Sequence, residues 1–209
     1  MKTILVVNAK GGCGKTTLST NLASYFATNE LNTVLVDFDP QQSAMEWLKE
    51  RNKDYYYEIQ GISPFDNRLR FAADVDRVVL DAPARVEGKQ LADLLRRADI
   101  ILVPVLPSPI DMRAAAHFIQ ELLLTGHIEE KKIAVIANRV RENTLIYQQL
   151  NKVLKHLKIP FLSSIRDSQN YIHAAEGGLG IFDMPWYLVS HDIEQWKPVV
   201  RWINRNIND

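Results

Sequence analysis

Length, composition and charge place this chain among proteins with one sizeable hydrophobic core. Its 209 residues are 46% hydrophobic, and its 25 basic and 25 acidic side chains give a net charge of zero. We expect one domain over residues 1–209. The sequence has neither a charged and apolar leader nor an apolar run of roughly 18 residues, and its single cysteine cannot form an internal disulfide. These features exclude a membrane-spanning or disulfide-stabilised protein and predict a cytoplasmic one.

The charge is divided unevenly along the chain. Residues 1–130 carry 14 basic and 18 acidic groups, whereas residues 131–209 carry 11 and 7. The resulting net charges of −4 and +4 indicate that the later part faces a polyanion. Ordinary solvated surface is the alternative interpretation.

A glycine-rich loop lies between a predicted strand, Ile4–Val7, and a predicted helix, Lys15–Thr28. Backbone N–H groups in such a loop bind phosphate oxygens, and the positive end of the following helix points at the same place. Lys15 would reach the β- and γ-phosphates, Thr16 would bind Mg²⁺, and Thr17 would bond the α-phosphate. The sequence therefore predicts a site for ATP and Mg²⁺, and the backbone contacts come from Gly11, Gly12, Cys13 and Gly14.

Two residues depart from the general pattern of this loop. Ala9 replaces its first glycine, and Lys10 adds a second lysine, which would crowd Lys15 inside one phosphate site. Lys10 is therefore predicted to reach a nucleotide held by a second copy, which implies a homodimer. Here the sequence resembles the ParA/MinD family of deviant Walker-A ATPases, whose signature lysine stands at the position of Lys10. The predicted catalytic residues are Lys10, Lys15 and Asp39.

Three aspartates end two apolar segments, Thr33–Pro40 and Asp76–Pro83. Asp37 and Asp39 alternate along the first segment, so they face the same way and suit a metal ion and a water molecule beside a triphosphate. Resemblance to the family's D-x-D-P-Q element implies that Asp39 positions the attacking water and Asp37 lies closer to the metal. Which of the two is nearer the water stays open, and solvated turn acids are the alternative. Asp81 ends the second segment as a Walker-B metal residue.

The remaining strands and helices alternate along the chain. Asp111 opens a helix after Pro107, and we prefer a first-turn or capping acid to a catalytic one. Asn138 ends another apolar strand, where it either contacts adenine, as the resemblance implies, or is a simple turn residue. The other predicted elements are helices at Ser43–Arg51, Asn67–Ala73, Leu91–Leu95, Met112–Leu124 and Thr144–His156, and strands at Tyr55–Gln60 (with packed tyrosines), Ala98–Val105, Lys132–Arg139 and from Phe161.

A last helix is predicted over Asp192–Asn206, with Pro198 limiting its start. It has an apolar stripe, and Lys197, Arg201 and Arg205 recur every four residues as a basic stripe. Such a stripe suits nonspecific DNA binding through phosphates. Simple docking of the apolar face on the core is the alternative, and a MinD-like membrane helix is less favoured. Further DNA candidates are Arg166, Lys152 and Lys155.

Strands alternating with helices predict an α/β fold with a doubly wound, mostly parallel sheet and helices on both faces. The resemblance implies an ATP hydrolase with slow basal turnover, stimulated by a ParB-like adaptor. ATP-bound dimers would coat the nucleoid and position a plasmid, a chromosomal locus or a protein body such as a carboxysome. A MinD-like regulator at a membrane surface is the alternative. A biosynthetic P-loop ligase is disfavoured, since no dedicated substrate constellation stands out.

Overall fold

Seven parallel strands form one sheet in the computed structural model, which describes residues 1–64, 69–126, 132–141 and 158–208. Their order across the sheet is β3-β2-β4-β1-β5-β6-β7. From β1 the sheet therefore extends both ways, and the carboxyl end of β1 lies at the crevice where open α/β sheets bind ligands. The strands are β1 (Lys2–Val6), β2 (Thr33–Asp37), β3 (Ile59–Ile62), β4 (Arg77–Asp81), β5 (Ile100–Val105), β6 (Ile133–Val140) and β7 (Phe161–Arg166).

Helices cover both faces of this sheet. Successive residues of a strand point to opposite faces, so Ile4 and Val6 of β1 pack on one side, and Leu5 and Val7 pack on the other. The helices on the first face are α1 (Lys15–Thr28), α2 (Ser43–Glu50) and α6 (Trp186–Asn208). Those on the second face are α3 (Gly88–Arg97) and α4 (Pro109–Leu124). The remaining helix, α5 (Gln169–Glu176), precedes a short 3₁₀ turn at Ile181–Asp183. The doubly wound parallel fold is confirmed, and α1 has the predicted bounds.

Two predicted elements near the β3 edge are wrong in part. The strand begins at Ile59 rather than Tyr55, because its pairing with β2 starts where Ile59 meets Thr33. Tyr55 and Tyr57 are 82% and 51% exposed, so they are not packed as predicted. Residues 69–73 are not helical, and the rest of the helix predicted from Asn67 lies outside the described residues, as does the helix predicted over Thr144–His156.

The C-terminal helix α6 is longer than predicted. It begins at Trp186, directly after Pro185, and it continues through Pro198, which therefore does not limit its start. Proline removes one helical hydrogen bond, but the apolar side chains on either side anchor the helix in the core. The buried residues of this stripe are Trp196, Val199, Val200, Ile203 and Ile207. The apolar face of α6 is thus docked, and among the described helices none has both the length and the apolar character to cross a membrane.

Candidate functional site

The glycine-rich loop joins β1 to α1 at the predicted edge of the sheet. Gly14 precedes the first helical residue with φ +89°, and a Cβ atom there would lie 2.0 Å from Nδ2 of Asn138. Both the backbone conformation and the close approach therefore require glycine at this position. The first turn of α1 contains no acidic residue, and no side chain caps it. Its free N–H groups and positive dipole suit an anion.

The two lysines of the loop point to different partners. The Nζ atom of Lys15 donates to the carbonyl oxygen of Lys10 at 3.1 Å, and Lys15 is buried. In contrast, Nζ of Lys10 lies 3.0 Å from Oδ1 of Asp111, and the Lys10 side chain is 41% exposed. The two ammonium groups therefore do not share one phosphate site in this structure.

Asp111 lies in the first turn of α4, as the preferred interpretation predicted. The hydroxyl of the N-cap residue Ser108 accepts a hydrogen bond from the backbone N–H of Asp111 at 3.1 Å. The same hydroxyl donates to the Asp111 carboxylate. The Ser108 hydroxyl, helped by Lys10, lowers the pKa of Asp111 below its usual value. The sequence predicted the cap but not the ion pair with Lys10, because the two residues are far apart in the chain.

Asp37 and Asp39 end β2 in different environments. Asp37 is fully buried, and its carboxylate accepts N–H bonds from Asp39 at 2.9 Å, Ala44 at 2.9 Å and Met45 at 3.3 Å. Burial nevertheless raises its pKa. Asp39 accepts instead from the N–H of Ala84 at 3.3 Å, so it bridges to the loop after β4. Asp37 therefore anchors the start of α2, and the metal role of Asp37 and the water role of Asp39 stay predictions.

Asp81 ends β4 beside the start of α1. Its Oδ1 atom accepts a hydrogen bond from the Ser19 hydroxyl at 3.0 Å, whereas the buried Oδ2 atom has no hydrogen-bond partner among the described residues. Burial raises the pKa of Asp81 to about 7, although Thr16 and Ser19 oppose this shift. A buried carboxylate oxygen without a partner is costly, and a water bound to Mg²⁺ would satisfy it. This orphaned atom fits the predicted Mg²⁺ at Thr16 and Asp81.

The described residues contain no cluster of three His, Cys, Asp or Glu side chains that could hold a metal. Mg²⁺ needs no such cluster, because it is usually held by one or two protein oxygens together with phosphates and water. The donor set at Thr16 and Asp81 is of this kind.

Asn138 lies near the end of β6, against the phosphate loop. Its Nδ2 donates to the carbonyl of Cys13 at 2.9 Å, and its Oδ1 accepts from the N–H of Arg139 at 3.0 Å. Arg139 itself has φ +54°, an uncommon conformation for a non-glycine residue. Asn138 therefore holds the loop in place, and its predicted contact with adenine is not tested.

Cys13 is buried inside the loop. Its thiol donates to the Lys10 carbonyl at 3.3 Å, and burial raises its pKa. A thiol with a raised pKa is a poor nucleophile, which agrees with a purely structural position.

A cavity of about 540 Å³ opens beside the loop, between α1, α2 and α5. Its size is within the range of small-ligand sites. Its lining includes Thr16, Thr17, Asn138, Arg139, Asp167 and Ser168. A nucleoside attached to phosphates on the loop would have room here, although the sequence did not single out Arg139, Asp167 or Ser168 as site residues.

The predicted DNA residues lie in unlike surroundings. Arg166 makes a two-bond ion pair with the buried carboxylate of Asp192, at 2.6 and 3.0 Å, so it ties β7 to α6. Burial disfavours the charged form of Asp192, but the bonds from Arg166 and Asn170 prevail and lower its pKa. On α6, Lys197 pairs with Glu194 and lies 6.0 Å from the Trp186 ring centroid.

Arg201 and Arg205 are exposed on α6. A DNA role for the three α6 cations and for Arg166 stays a prediction, and Lys152 and Lys155 lie outside the described residues.

Comparisons with known proteins agree with the fold. The family model of the CobQ/CobB/MinD/ParA nucleotide binding domain matches residues 4–181. A Halothiobacillus neapolitanus protein named maintenance of carboxysome distribution protein A is 30% identical over 189 residues, which is 87% of each chain. Two solved structures share the fold. A variant of Cyanothece McdA in complex with ATP has a TM-score of 0.71 at 16% identity and covers 97% of this chain and 95% of its own.

The MinC:MinD cell division protein complex of Aquifex aeolicus has a TM-score of 0.71 at 16% identity and covers 100% of this chain and 96% of that one. These likenesses agree with the parallel sheet and its covering helices described above. The chain therefore belongs to the CobQ/CobB/MinD/ParA family of nucleotide-binding domains, and it is a ParA-like ATPase.

Proposed function

We propose that this ParA-like ATPase is a switch that positions a cellular cargo. ATP and Mg²⁺ join two copies into a dimer, the dimer binds DNA without sequence preference, and hydrolysis releases it. A ParB-like adaptor on the cargo stimulates hydrolysis, so bound dimers form a gradient over the nucleoid in the cytoplasm. The name of the Halothiobacillus neapolitanus relative supports a protein body as the cargo, with a plasmid or a chromosomal locus as the other candidates.

The separation of the two lysines carries this proposal. Lys15 is folded back onto the loop, where it would meet the β- and γ-phosphates of a nucleotide bound by its own chain. The ammonium group of Lys10 pairs instead with Asp111 on α4, and the Lys10 side chain is 41% exposed. A second copy facing this loop could receive Lys10 once that ion pair breaks. The signature lysine would then add positive charge at the partner's γ-phosphate in the transition state.

Asp39 is proposed to orient the attacking water. It lies on the loop after β2, and its carboxylate accepts from Ala84 on the loop after β4. Both loops are therefore linked through the group that would hold the water, so a ligand that moves one loop also moves the other. Thr16 and Asp81, with Asp37 nearby, would hold Mg²⁺, and the metal would supply positive charge against the phosphates. Slow turnover before the adaptor binds follows if the adaptor completes this arrangement.

The charge of α6 supports DNA as the surface to which the dimer binds. Arg201 and Arg205 are exposed four residues apart, and Lys197 continues the row by one more turn. Their spacing lets them contact successive phosphates while the opposite face of the helix stays in the core.

A MinD-like regulator at a membrane surface is the second candidate. The structural likeness to Aquifex aeolicus MinD favours it, but a membrane helix of the proposed kind needs a free apolar face. The apolar face of α6 is buried against the sheet, which favours DNA.

The test is sedimentation of the protein with ADP, ATP and a slowly hydrolysed ATP analogue. We expect monomers with ADP and dimers with ATP or the analogue. Lys10→Ala should bind ATP normally yet stay monomeric and lose stimulated hydrolysis, because the charge supplied to the partner's phosphate is gone. Lys53→Ala, which removes another exposed and ion-paired lysine, is the matched control and should dimerise. One assembly state with every nucleotide, or full ATP-dependent dimerisation of Lys10→Ala, would contradict the proposal.

A further inference from the structure

Ser19 is a fully buried hydroxyl on α1, one turn after Lys15. Serine inside a helix commonly bonds the carbonyl one turn earlier, as Thr20 does with Thr16 at 2.9 Å. Ser19 instead donates out of its helix, to Oδ1 of Asp81 on β4 at 3.0 Å. Its position in the sequence predicts no role for it.

The bond from Ser19 fixes more than one oxygen atom. The two oxygens of a carboxylate turn together about χ2, and this torsion has a broad, two-fold preference. Holding Oδ1 against Ser19 therefore also sets the direction of Oδ2, the buried atom that has no hydrogen-bond partner in the part of the chain that the structure describes. The register of the sheet supports the backbone position, since Asp81 pairs with Val6 of β1 immediately before the phosphate loop.

We propose that Ser19 is a positioning residue for Mg²⁺: its hydroxyl orients Asp81 so that the free carboxylate oxygen receives a water from the metal bound at Thr16. This inference rests on the proposed binding of Mg²⁺ and ATP and names the residue that prepares the metal side of that site. Without the hydroxyl, Asp81 loses the hydrogen bond that fixes Oδ1 and keeps Thr16 as a neighbour on α1, so its carboxylate can rotate away from the metal position. Mg²⁺ affinity falls, while contacts of the loop with the phosphates are kept.

Ser24 provides a matched control on the same helix. It is also fully buried, and its hydroxyl also donates to a carboxylate, Oδ2 of Asp183 at 2.8 Å. Asp183 lies after α5 and has no part in the phosphate site. Ser24→Ala therefore makes the same chemical change in the same helix without touching Asp81.

The experiment titrates Mg²⁺ into each protein with a fluorescent ATP analogue at fixed pH, and repeats nucleotide binding in EDTA. For Ser19→Ala we expect the Mg²⁺ midpoint to rise about tenfold, which is about 1.4 kcal/mol, with unchanged affinity in EDTA. Ser24→Ala should keep the wild-type midpoint. Cysteine is close to serine in size but is a weak hydrogen-bond donor, so Ser19→Cys should shift the Mg²⁺ midpoint in the same direction. This variant replaces Ser19→Ala in the experiment if Ser19→Ala does not fold.

Two results would overturn the inference. One is a wild-type Mg²⁺ midpoint in a folded Ser19 variant, and the other is an equal shift in Ser24→Ala. Failure of the wild-type protein to bind the analogue with Mg²⁺ would instead contradict the proposed function, so the two failures are distinguishable.

Discussion

Asp81 illustrates what burial does to a single carboxyl group. Burial is the largest cause of its raised pKa, and nearby Asp37 adds to the shift. A negative charge at this position is therefore less favourable than in water, although Lys15 offsets part of the shift. At the residue scale, burial of this carboxylate lowers the stability of the nucleotide-free protein, and the proposed Mg²⁺ would offset that cost.

This cost should appear as a pH dependence of stability. The pKa of Asp81 is about 7 in the folded protein and 3.8 in the unfolded chain, so between these values the folded state binds more protons. The free energy of unfolding then falls as pH rises. Burial raises the pKa of Asp37 as well, which acts in the same direction. Between pH 5.5 and 8, Asp81→Asn should remove ~2 kcal/mol of this decline.

The measurement is urea unfolding at both pH values, in EDTA and without nucleotide. Asp93→Asn, which neutralises an exposed aspartate of α3, should keep the wild-type dependence. Parallel pH dependences of the wild type and Asp81→Asn would show that Asp81 does not titrate in this range.

The residue scale also shows how far sequence reasoning reaches. Roles for Lys15, Thr16 and Thr17 could be predicted because the loop is contiguous and its chemistry follows from the local backbone. The pairing of Lys10 with Asp111 could not, because it depends on where α4 begins relative to β1. The second bond of Asn138, to the carbonyl of Cys13, spans 125 residues and is equally invisible in the sequence.

At the scale of elements, α2 is held at both ends. Asp37 accepts from the N–H groups of its first turn, and Arg51, directly after its last residue, makes a buried ion pair with Asp183 at 2.8 Å. Arg51 also donates to the carbonyls of Tyr57 and Gly178, so the pair joins three segments. The sequence predicted α2 itself from its apolar spacing but gave no role to Arg51.

Breaking this buried pair should destabilise the whole protein. The side chains of Arg51 and Asp183 are 2% and 1% exposed, so removal of the arginine leaves a buried charge without its counter-ion. Arg51→Met should lower the free energy of unfolding by about 3 kcal/mol in urea titrations. Lys53→Met breaks the exposed pair with Glu58 two residues further along and should change stability little. Equal losses of stability in the two variants would show that the buried Arg51–Asp183 pair contributes no more than the exposed Lys53–Glu58 pair.

At the scale of the whole molecule, helix α6 has one side in the hydrophobic core and the opposite side on the charged surface. Trp196, Val199 and Ile203 bury the inner side of α6, while Arg201 and Arg205 face solvent. Docking and DNA binding are therefore compatible on one helix. The ion pair between Arg166 and Asp192 joins this helix to β7, whose following residues, Asp167 and Ser168, line the cavity beside the loop.

The paired change Arg201→Ala and Arg205→Ala should weaken binding of the ATP-bound protein to random duplex DNA. Each lost phosphate contact reduces the slope of log K against log salt by about 0.9, so we expect a reduction of about 2 per protomer. Basal ATPase activity and thermal stability should be unchanged, because both arginines are exposed. Fluorescence anisotropy over a salt series measures the slope.

Lys49→Ala together with Lys53→Ala removes two exposed lysines elsewhere and is the control for net charge. An unchanged slope in the α6 variant would remove this helix from the DNA surface. Flotation with anionic liposomes, lost in the α6 variant while DNA binding persists, would favour the membrane alternative.

The sequence by itself determined the phosphate loop, the parallel α/β fold and the aspartates at the strand ends. These features follow from local chemistry: glycines next to a lysine, and apolar periods of two residues in strands and of three to four in helices. Only the tertiary structure decided that Ser19 holds Asp81, that Arg166 pairs with Asp192, that Tyr55 is exposed and that α6 runs through Pro198. The two contacts join residues distant in the chain, and all four features depend on how the elements are arranged in space, which local periodicity does not specify.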